Sequence, residues 1–361
     1  MSESVSGGPV CAPRRVTRQI RVGEVTMGGD APVRVQSMTT TKTGDFEATT
    51  QQIKELATAG AEFVRVTVND AAAVEALPAL IAFTNVPLVA DIHYDHTMAL
   101  AALAAGIAKL RINPGNIGSP DHVREVAAAA ADKGVPIRIG VNRGSLHRRY
   151  DDLLATDPAG ALVQSALDEL EVLAAVGFSE VAVSLKSSVP GEVVDACRRF
   201  SKISDVPQHL GVTEAGTLLA GTSRSVAAMS VLLAEGIGDT VRISLADDPV
   251  HEVNAAFHML QALGLRDGFA RVVACPTCGR VEVDVVALAT RVEELARELP
   301  PDRVISVMGC IVNGPGEAKA ADLGIAAGRT KVAIYRRGEL HRTIDKDELD
   351  SVLLEEIERL R

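Results

Sequence analysis

Two groups of residues in this chain carry chemistry that ordinary packing does not need. The first is a set of polar residues at alternate positions in short β-rich runs. It comprises Arg65 and Thr67, Asp91 and His93, Arg111 and Asn113, Arg138 and Asn142 with Gly140 between them, Ser184 and Lys186, Glu214 just past its run, and Arg242 and Ser244. Alternate residues of a strand share one face. Val64, Val66, Leu110, Ile112, Ile137, Ile139, Val241 and Ile243 occupy the intervening positions, so the apolar set packs outward and the polar set points inward. One such arginine is accounted for by a structural ion pair. Four arginines and a lysine from five strands are not, with Asp91 and Glu214 the carboxylates available inside. Burying unpaired cations is costly, and a ligand bringing several negative charges offsets that cost. A diphosphate fits, because guanidinium forks match phosphate oxygens.

The second group is Cys275-Pro-Thr-Cys278 with Cys310, the latter in Met-Gly-Cys-Ile-Val-Asn-Gly-Pro-Gly-Glu. A lone C-x-x-C serves a redox dithiol, half a zinc site or half an iron–sulfur site. A thioredoxin-type dithiol does not need the third cysteine. Closed structural zinc usually takes four Cys or His ligands, and the one histidine of this region, His341, is far along the chain. Three thiolates are a common protein contribution to a [4Fe–4S] cluster, and the loop 313–316 would let backbone N–H groups approach its sulfides. The residue types favour a cluster over zinc without deciding between them. The C-x3-C-x2-C spacing of radical chemistry is absent. Cys11 and Cys197 are given no role, and His96, His122, His147, His251 and His258 read as helix or surface residues. His93 differs, standing two residues after Asp91 at a strand end.

The elements that must position these residues follow a repeat. β-rich runs lie at 33–38, 63–68, 87–92, 109–114, 136–141, 180–185, 209–213 and 240–245. Their spacing of about 30 residues is that of one βα unit. Helical segments such as 47–59, 98–105 and 121–133 fall between them. The last helix is marked by Asp248 as N-cap, Pro249 at the first position and Gly264 after its end. Eight evenly spaced units with no early glycine fingerprint predict a (β/α)8 TIM barrel over residues 1–265 rather than a doubly wound sheet. The hairpin-like 18–25 is placed to plug its bottom. After a linker at 265–268 the pattern changes to a smaller α+β domain over 269–361. A helix is expected at 284–299 and strands at 303–308, 323–326 and 331–335. A hairpin turn at 337–338 and a terminal helix at 346–361 complete it.

Composition agrees with a folded chain. Of 361 residues, 47% are hydrophobic, 23% charged and 3% aromatic, with no Trp, and the net charge is −10. No basic field exists to hold nucleic acid or an anionic membrane, and stacking platforms for bases are missing. A local cationic pocket still outweighs distant charge, since screening acts over ~8 Å. The N-terminus has no apolar signal region, and the longest apolar run, 98–108, is too short to span a bilayer. The expectation is a cytoplasmic chain.

Seven motifs together resemble a known family: VQSMTTT at 35–41, ADIHYD at 90–95, LRINPGNIG at 110–118, RIGVN at 138–142, HLGVTEAG at 209–216, CPTCGR at 275–280 and GCIVNGPGE at 309–317. They are similar to the (E)-4-hydroxy-3-methylbut-2-enyl diphosphate synthases, iron–sulfur enzymes of the non-mevalonate isoprenoid pathway, in their two-domain bacterial form. The resemblance runs from about position 14 to the C-terminus. It implies reductive ring opening of 2-C-methyl-D-erythritol 2,4-cyclodiphosphate, with flavodoxin or ferredoxin as electron donor. It also implies a [4Fe–4S] cluster on Cys275, Cys278, Cys310 and Glu317. The substrate residues it implies are Arg65, Arg111, Asn113, Arg138, Asn142, Lys186, His209, Arg242 and Ser244, with Asp91, His93 and Glu214 at the same mouth. Arg143 departs from the family pattern, where a small residue is expected. A cluster-bearing dehydratase that needs no reductant and a zinc-stabilised binding module remain the other readings. The short linker, with ~3.5 Å of reach per residue, predicts a head-to-tail homodimer in which each cysteine domain caps the partner's barrel, and the resemblance supports the same arrangement.

Overall fold

The computed structural model describes residues 11–113, 117–310, 312 and 314–361. The end of the expected 109–114 run and Asn313 of the glycine-rich loop lie outside the described residues. The chain divides into two compact units, Met1–Arg266 and Asp267–Arg361.

In the first unit eight parallel strands form a barrel: β1 (Arg34–Met38), β2 (Phe63–Thr67), β3 (Leu88–Asp91), β4 (Lys109–Ile112), β5 (Ile137–Asn142), β6 (Val181–Lys186), β7 (His209–Leu210) and β8 (Thr240–Val241). Each pairs with its sequence neighbour from β1 to β6, and β8 joins β7 to β1. A parallel bridge from Val183 in β6 to Gln208, just before β7, closes the ring. The period-two pattern predicted this arrangement. Val64, Val66, Leu110, Ile112, Ile137, Ile139, Val241 and Ile243 are fully buried on the helix side. Aspartate or serine caps follow the strands. Asp70, Asp95, Ser119, Asp157 and Asp248 each accept a backbone N–H from the first turn of the next helix, satisfying donors the helix cannot.

β7 and β8 are shorter than the expected 209–213 and 240–245. The Arg242 N–H still donates to the Leu210 carbonyl (3.0 Å) and the Thr213 N–H to the Ser187 carbonyl (3.1 Å), but further on the donors find other partners. The Leu245 N–H donates to Glu252 Oε1 (2.9 Å) in the following helix, Pro249–Ala262, and the Ala246 N–H to the Gly216 carbonyl (2.9 Å). The ladder ends where the chain begins to shape the mouth.

The hairpin, Ile20–Val22 with Val25–Met27, sits slightly later than expected. Ile20, Val22 and Met27 are buried with Phe63, Val89 and Ala182 at the starts of β2, β3 and β6, so it closes the end of the barrel opposite the mouth. Lys109, the first residue of β4, lies there too, with Nζ 4.6 Å from the Phe63 ring centre and 3.8 Å from Met27 Sδ. Burial first, then Arg138 and Arg65, drive its amine well below the usual lysine value. The unit also ends at this pole, because Arg266 Nη1 donates to the Val33 carbonyl (2.8 Å) and to Glu62 Oε2 (2.9 Å).

The second unit is a five-stranded sheet in chain order: β9 (Arg271–Ala274), β10 (Val304–Met308), β11 (Leu323–Ala327), β12 (Lys331–Arg336) and β13 (Glu339–Asp345). The first three are parallel and the rest antiparallel. Helices Val285–Ala296 and Leu349–Glu358 contribute Val292, Ala296, Leu353 and Ile357 to a core with Ile305, Val307, Ile325 and Ile334. β9 is not among the expected strands. It is a four-residue edge strand with no fully buried position, so it lacks the apolar alternation that marks the others. Among the described residues, no helix is long and apolar enough to cross a membrane.

Met27→Ala tests the plug. Truncating a buried Met costs about 2–5 kcal/mol, so the urea midpoint should fall by that equivalent while the far-UV circular dichroism of the folded state stays unchanged.

Candidate active site

The barrel strands bring the inward polar residues together at their C-terminal ends. A cavity of about 240 Å³ is lined by Arg65, Arg111, Arg138, Lys186 and Arg242, with Met38, Asp91, His93, Asn142, Ser184, Thr213 and Ser244. An outer chamber of about 570 Å³ shares His93, Arg111, Asn142 and Thr213 with it and adds Tyr94, Asn113, Arg143, Ser145 and Glu214 among its walls.

Asp91 is the hub. Arg111 Nη1 donates to Asp91 Oδ1 (3.0 Å), Arg65 Nε stands 3.7 Å from Oδ2, and His93 Nε2 lies 3.2 Å from the same oxygen. Burial alone would raise this carboxyl. Arg65, the His93 contact and Arg111 together overcome that and hold it well below the usual carboxylate range. Arg242 is held by Glu252, with Nε 3.2 Å from Oε2, and Ser37 Oγ donates to the same oxygen (3.2 Å). Glu252 corrects the expectation that Asp91 and Glu214 are the inner carboxylates. It enters from a helix, not a strand, so the period-two pattern cannot reveal it. Glu214 instead is exposed on the outer chamber, with φ 52°.

Five cations thus face two carboxylates. Arg138 and Lys186 have no carboxylate at ion-pair distance among the described residues. Arg138 Nη1 makes one long bond to Ser184 Oγ (3.4 Å), and its Nε and Nη2 are buried without a partner. Burial is the largest effect on both, followed for Arg138 by Arg65 and for Lys186 by Arg138. Both values fall well below normal. Arg65 is pushed down to about 10, again by burial, although Asp91 opposes this. Unpaired buried donors of this kind are expensive to leave unmade, and the aimed, desolvated cluster is suited to a polyanion.

Two glycines make room for the cluster. A Cβ on Gly140 would lie 2.5 Å from Arg111 Nε, and one on Gly211 would lie 3.0 Å from Lys186 Nζ and 2.7 Å from the Arg242 carbonyl oxygen. Met38, which motif reading had not singled out, puts Sδ 2.8 Å from Arg65 Nη2 and 3.6 Å from Arg242 Nη1. It spaces two guanidiniums without adding charge.

His209 lines neither cavity. It pairs with Thr240, two residues below Arg242, and its Nδ1 lies 2.7 Å from Thr240 Oγ1. Burial, then Arg138 and Lys186, push its imidazole well below the usual histidine value. It is a neutral floor beneath the cations rather than a wall of the pocket. Asn113 Nδ2 donates to Ser145 Oγ (3.3 Å) at the chamber wall.

In the second unit Cys275 directly follows β9 and Cys310 follows β10 by two residues. In this parallel pair Ala274 is opposite Val307, so the two cysteines leave the sheet at the same edge. The Gly309 N–H donates to Cys275 Sγ (3.2 Å). Cys310 is buried, Cys275 half-buried and Cys278 exposed. Glu317 ends the short helix Gly314–Glu317, is exposed, and makes no side-chain capping bond to the turn that follows. Among the described residues no three His, Cys, Asp or Glu side chains gather as a single metal ion requires. A cluster takes its thiolates on different irons, which does not demand that convergence.

The description of the GcpE TIM-barrel domain matches residues 17–257, and that of the GcpE protein C-terminal domain matches 271–359. The chain belongs to the GcpE family. A relative from Desulfotalea psychrophila, named 4-hydroxy-3-methylbut-2-en-1-yl diphosphate synthase (flavodoxin), is 46% identical over 353 residues, covering 96% of each chain. One of the same name from Salinispora tropica is 48% identical, covering 98% of this chain and 90% of its own. The resemblance read from the motifs therefore holds, and the chain is an enzyme of this synthase family. Among solved structures, a dihydropteroate synthase from Xanthomonas albilineans in complex with 7,8-dihydropteroate covers 68% of this chain and 97% of its own. Its TM-score is 0.50 at 17% identity, a likeness of fold alone.

An anion entering the cavity favours the charged form of Lys186. Binding of inorganic diphosphate should therefore take up more protons in the wild type than in Lys186→Met, read from the dependence of binding enthalpy on buffer ionisation. Equal uptake would mean that Lys186 is already fully charged in the empty site.

Proposed function

We propose that the GcpE-family chain opens 2-C-methyl-D-erythritol 2,4-cyclodiphosphate reductively. Two electrons and a proton enter, a ring carbon–oxygen bond breaks, water leaves, and the linear allylic 4-hydroxy-3-methylbut-2-enyl diphosphate is formed. The observation that carries this reading is the excess of cations at the barrel mouth, four buried and Arg242 partly so, against two carboxylates. Arg65, Arg111, Arg138, Lys186 and Arg242 take the diphosphate, helped by Asn142 and Ser244 at the wall. Asp91 holds two of these arginines and fixes the orientation of His93. Glu214, exposed on the outer chamber, would supply a proton to the departing hydroxyl.

The cysteine edge of the second unit suits an iron–sulfur group. Its donors are soft thiols without histidine, and a backbone N–H already points at Cys275 Sγ. Cys275, Cys278, Cys310 and Glu317 would hold a [4Fe–4S] cluster, which when bound supplies the electrons one at a time. The relatives' name indicates flavodoxin as their donor. Flavodoxin or ferredoxin fills that role for this chain, in the cytoplasm. Anaerobic conversion of the cyclodiphosphate with a reductant, and none without it, tests the reaction and separates it from a redox-neutral dehydration.

The barrel unit ends at the pole opposite its mouth, where Arg266 is pinned to Val33 and Glu62. A few linker residues at ~3.5 Å each favour a head-to-tail homodimer in which each cysteine unit serves the partner's barrel. Mixing Cys310→Ser subunits with Arg111→Ala subunits should restore one intact site per heterodimer. Mixed dimers that form without recovered activity would refute the arrangement in trans.

Glu317 is the proposed fourth ligand, a harder and more exchangeable donor than a thiolate. Glu317→Gln should leave iron and sulfide content largely intact but change the EPR or Mössbauer signature of one iron and lower turnover. Unchanged spectra and unchanged turnover would assign the fourth position to another group.

A further inference from the structure

Arg143 is the cation of the outer chamber that the inner cavity does not share. It lies one residue beyond Asn142, which lines both, and shares the lining of the outer chamber with His93 and Arg111. Its present partner is Glu192, with Arg143 Nε 3.3 Å from Oε2. The arginine side chain is 43% exposed and the glutamate 18%. The contact is monodentate and half in solvent, so it holds the arginine weakly.

Glu192 does not depend on it. The same Oε2 accepts the Ser187 hydroxyl, and Ser187 is fully buried. The Ser187 carbonyl in turn accepts the Thr213 N–H (3.1 Å), and Thr213 lines both chambers. The carboxylate is therefore fixed in place whether or not Arg143 is bound to it, while the guanidinium is free to exchange. A phosphate offers it two oxygens in fork geometry where Glu192 offers one.

We propose that Arg143 is a further ligand-binding residue of this site, parked on Glu192 in the empty enzyme and transferred to the phosphate groups of the entering ligand, so that Glu192 acts as its internal competitor. The inference rests on the barrel mouth being a diphosphate site. It adds a rim contact to the buried cage and a carboxylate that tunes it.

The test is a double-mutant cycle read by calorimetric titration with inorganic diphosphate. Arg143→Ala should weaken binding roughly tenfold, the scale of one charge-assisted hydrogen bond, and Arg143→Lys should recover part of that. Glu192→Gln should tighten binding about threefold by freeing the arginine. In the Arg143→Ala background the same Glu192→Gln change should give no tightening. Glu192→Gln that tightens equally in both backgrounds would be a plain field effect, and one that weakens binding would make the pair structural. Either outcome overturns the proposal, as does wild-type affinity in Arg143→Ala. Failure of the wild-type protein to bind diphosphate at all would instead bring down the reading of the mouth, and this inference with it.

Discussion

The constraint on which the barrel unit depends is charge inside a closed sheet. Arg65, Arg111, Arg138, Lys186 and Arg242 converge on a space with Asp91 and Glu252 as counter-ions. Several local choices follow from that. Asp91 must be shared, because one carboxylate serves two guanidiniums and a histidine. Gly140 must lack a side chain, because Arg111 lies where its Cβ would be. β7 and β8 end early, and the backbone of Leu245 and Ala246 beyond Arg242 is tied to Glu252 and Gly216. The opposite pole carries the apolar closure, with the hairpin packed on Phe63, Val89 and Ala182. Stability and ligand chemistry are thereby divided between the two ends of one sheet, as barrels of this architecture allow.

The second unit handles a different kind of donor. Hard guanidiniums and ammonium groups in the barrel suit oxyanions. The thiols of Cys275, Cys278 and Cys310 suit a soft metal centre. Placing the cysteines at the end of a parallel sheet edge puts backbone N–H groups, such as that of Gly309, beside sulfur. These are neutral dipoles that support negative charge there without competing for it.

Much of this was legible in the sequence because strands write their two faces alternately. The eight runs and their order followed from their spacing of about 30 residues, the inward set from Arg65 to Arg242 from period two, and Asp248 with Pro249 marked the last helix. What was missed lay outside that period. Glu252 reaches the pocket from a helix, where acidic residues in a first turn are ordinary. Met38 looks like core by type. β9 is a half-exposed edge without alternation. His209 shares the motif and the strand end, but its register against Thr240 puts it below the ligand cavity, and register is not written in one strand. The cysteines were visible as a cluster of types, yet only the parallel pairing of β9 with β10 brings Cys275 and Cys310 to one edge.

The excess charge also makes the barrel interior costly to hold together without a counter-anion. A fixed surplus of cations at these distances would be ruinous in a low dielectric. Burial lowers the affinity of several of these groups for their protons. Burial and mutual repulsion drive Lys186 and, at the far pole, Lys109 well below their ordinary values, and Arg65 is held down as well. Asp91 does the reverse, staying ionised because the cations need it. Burial thus makes charge on Lys186, Arg138 and Arg65 costly to hold, and an entering polyanion lowers that cost. Such a site discriminates by charge count. A monoanion satisfies one guanidinium and leaves the rest desolvated and unpaired, whereas a diphosphate repays the desolvation of several at once. On the proposed function, preference for the more highly charged ligand then follows from the desolvation of these cations, before any contact to the carbon skeleton is considered.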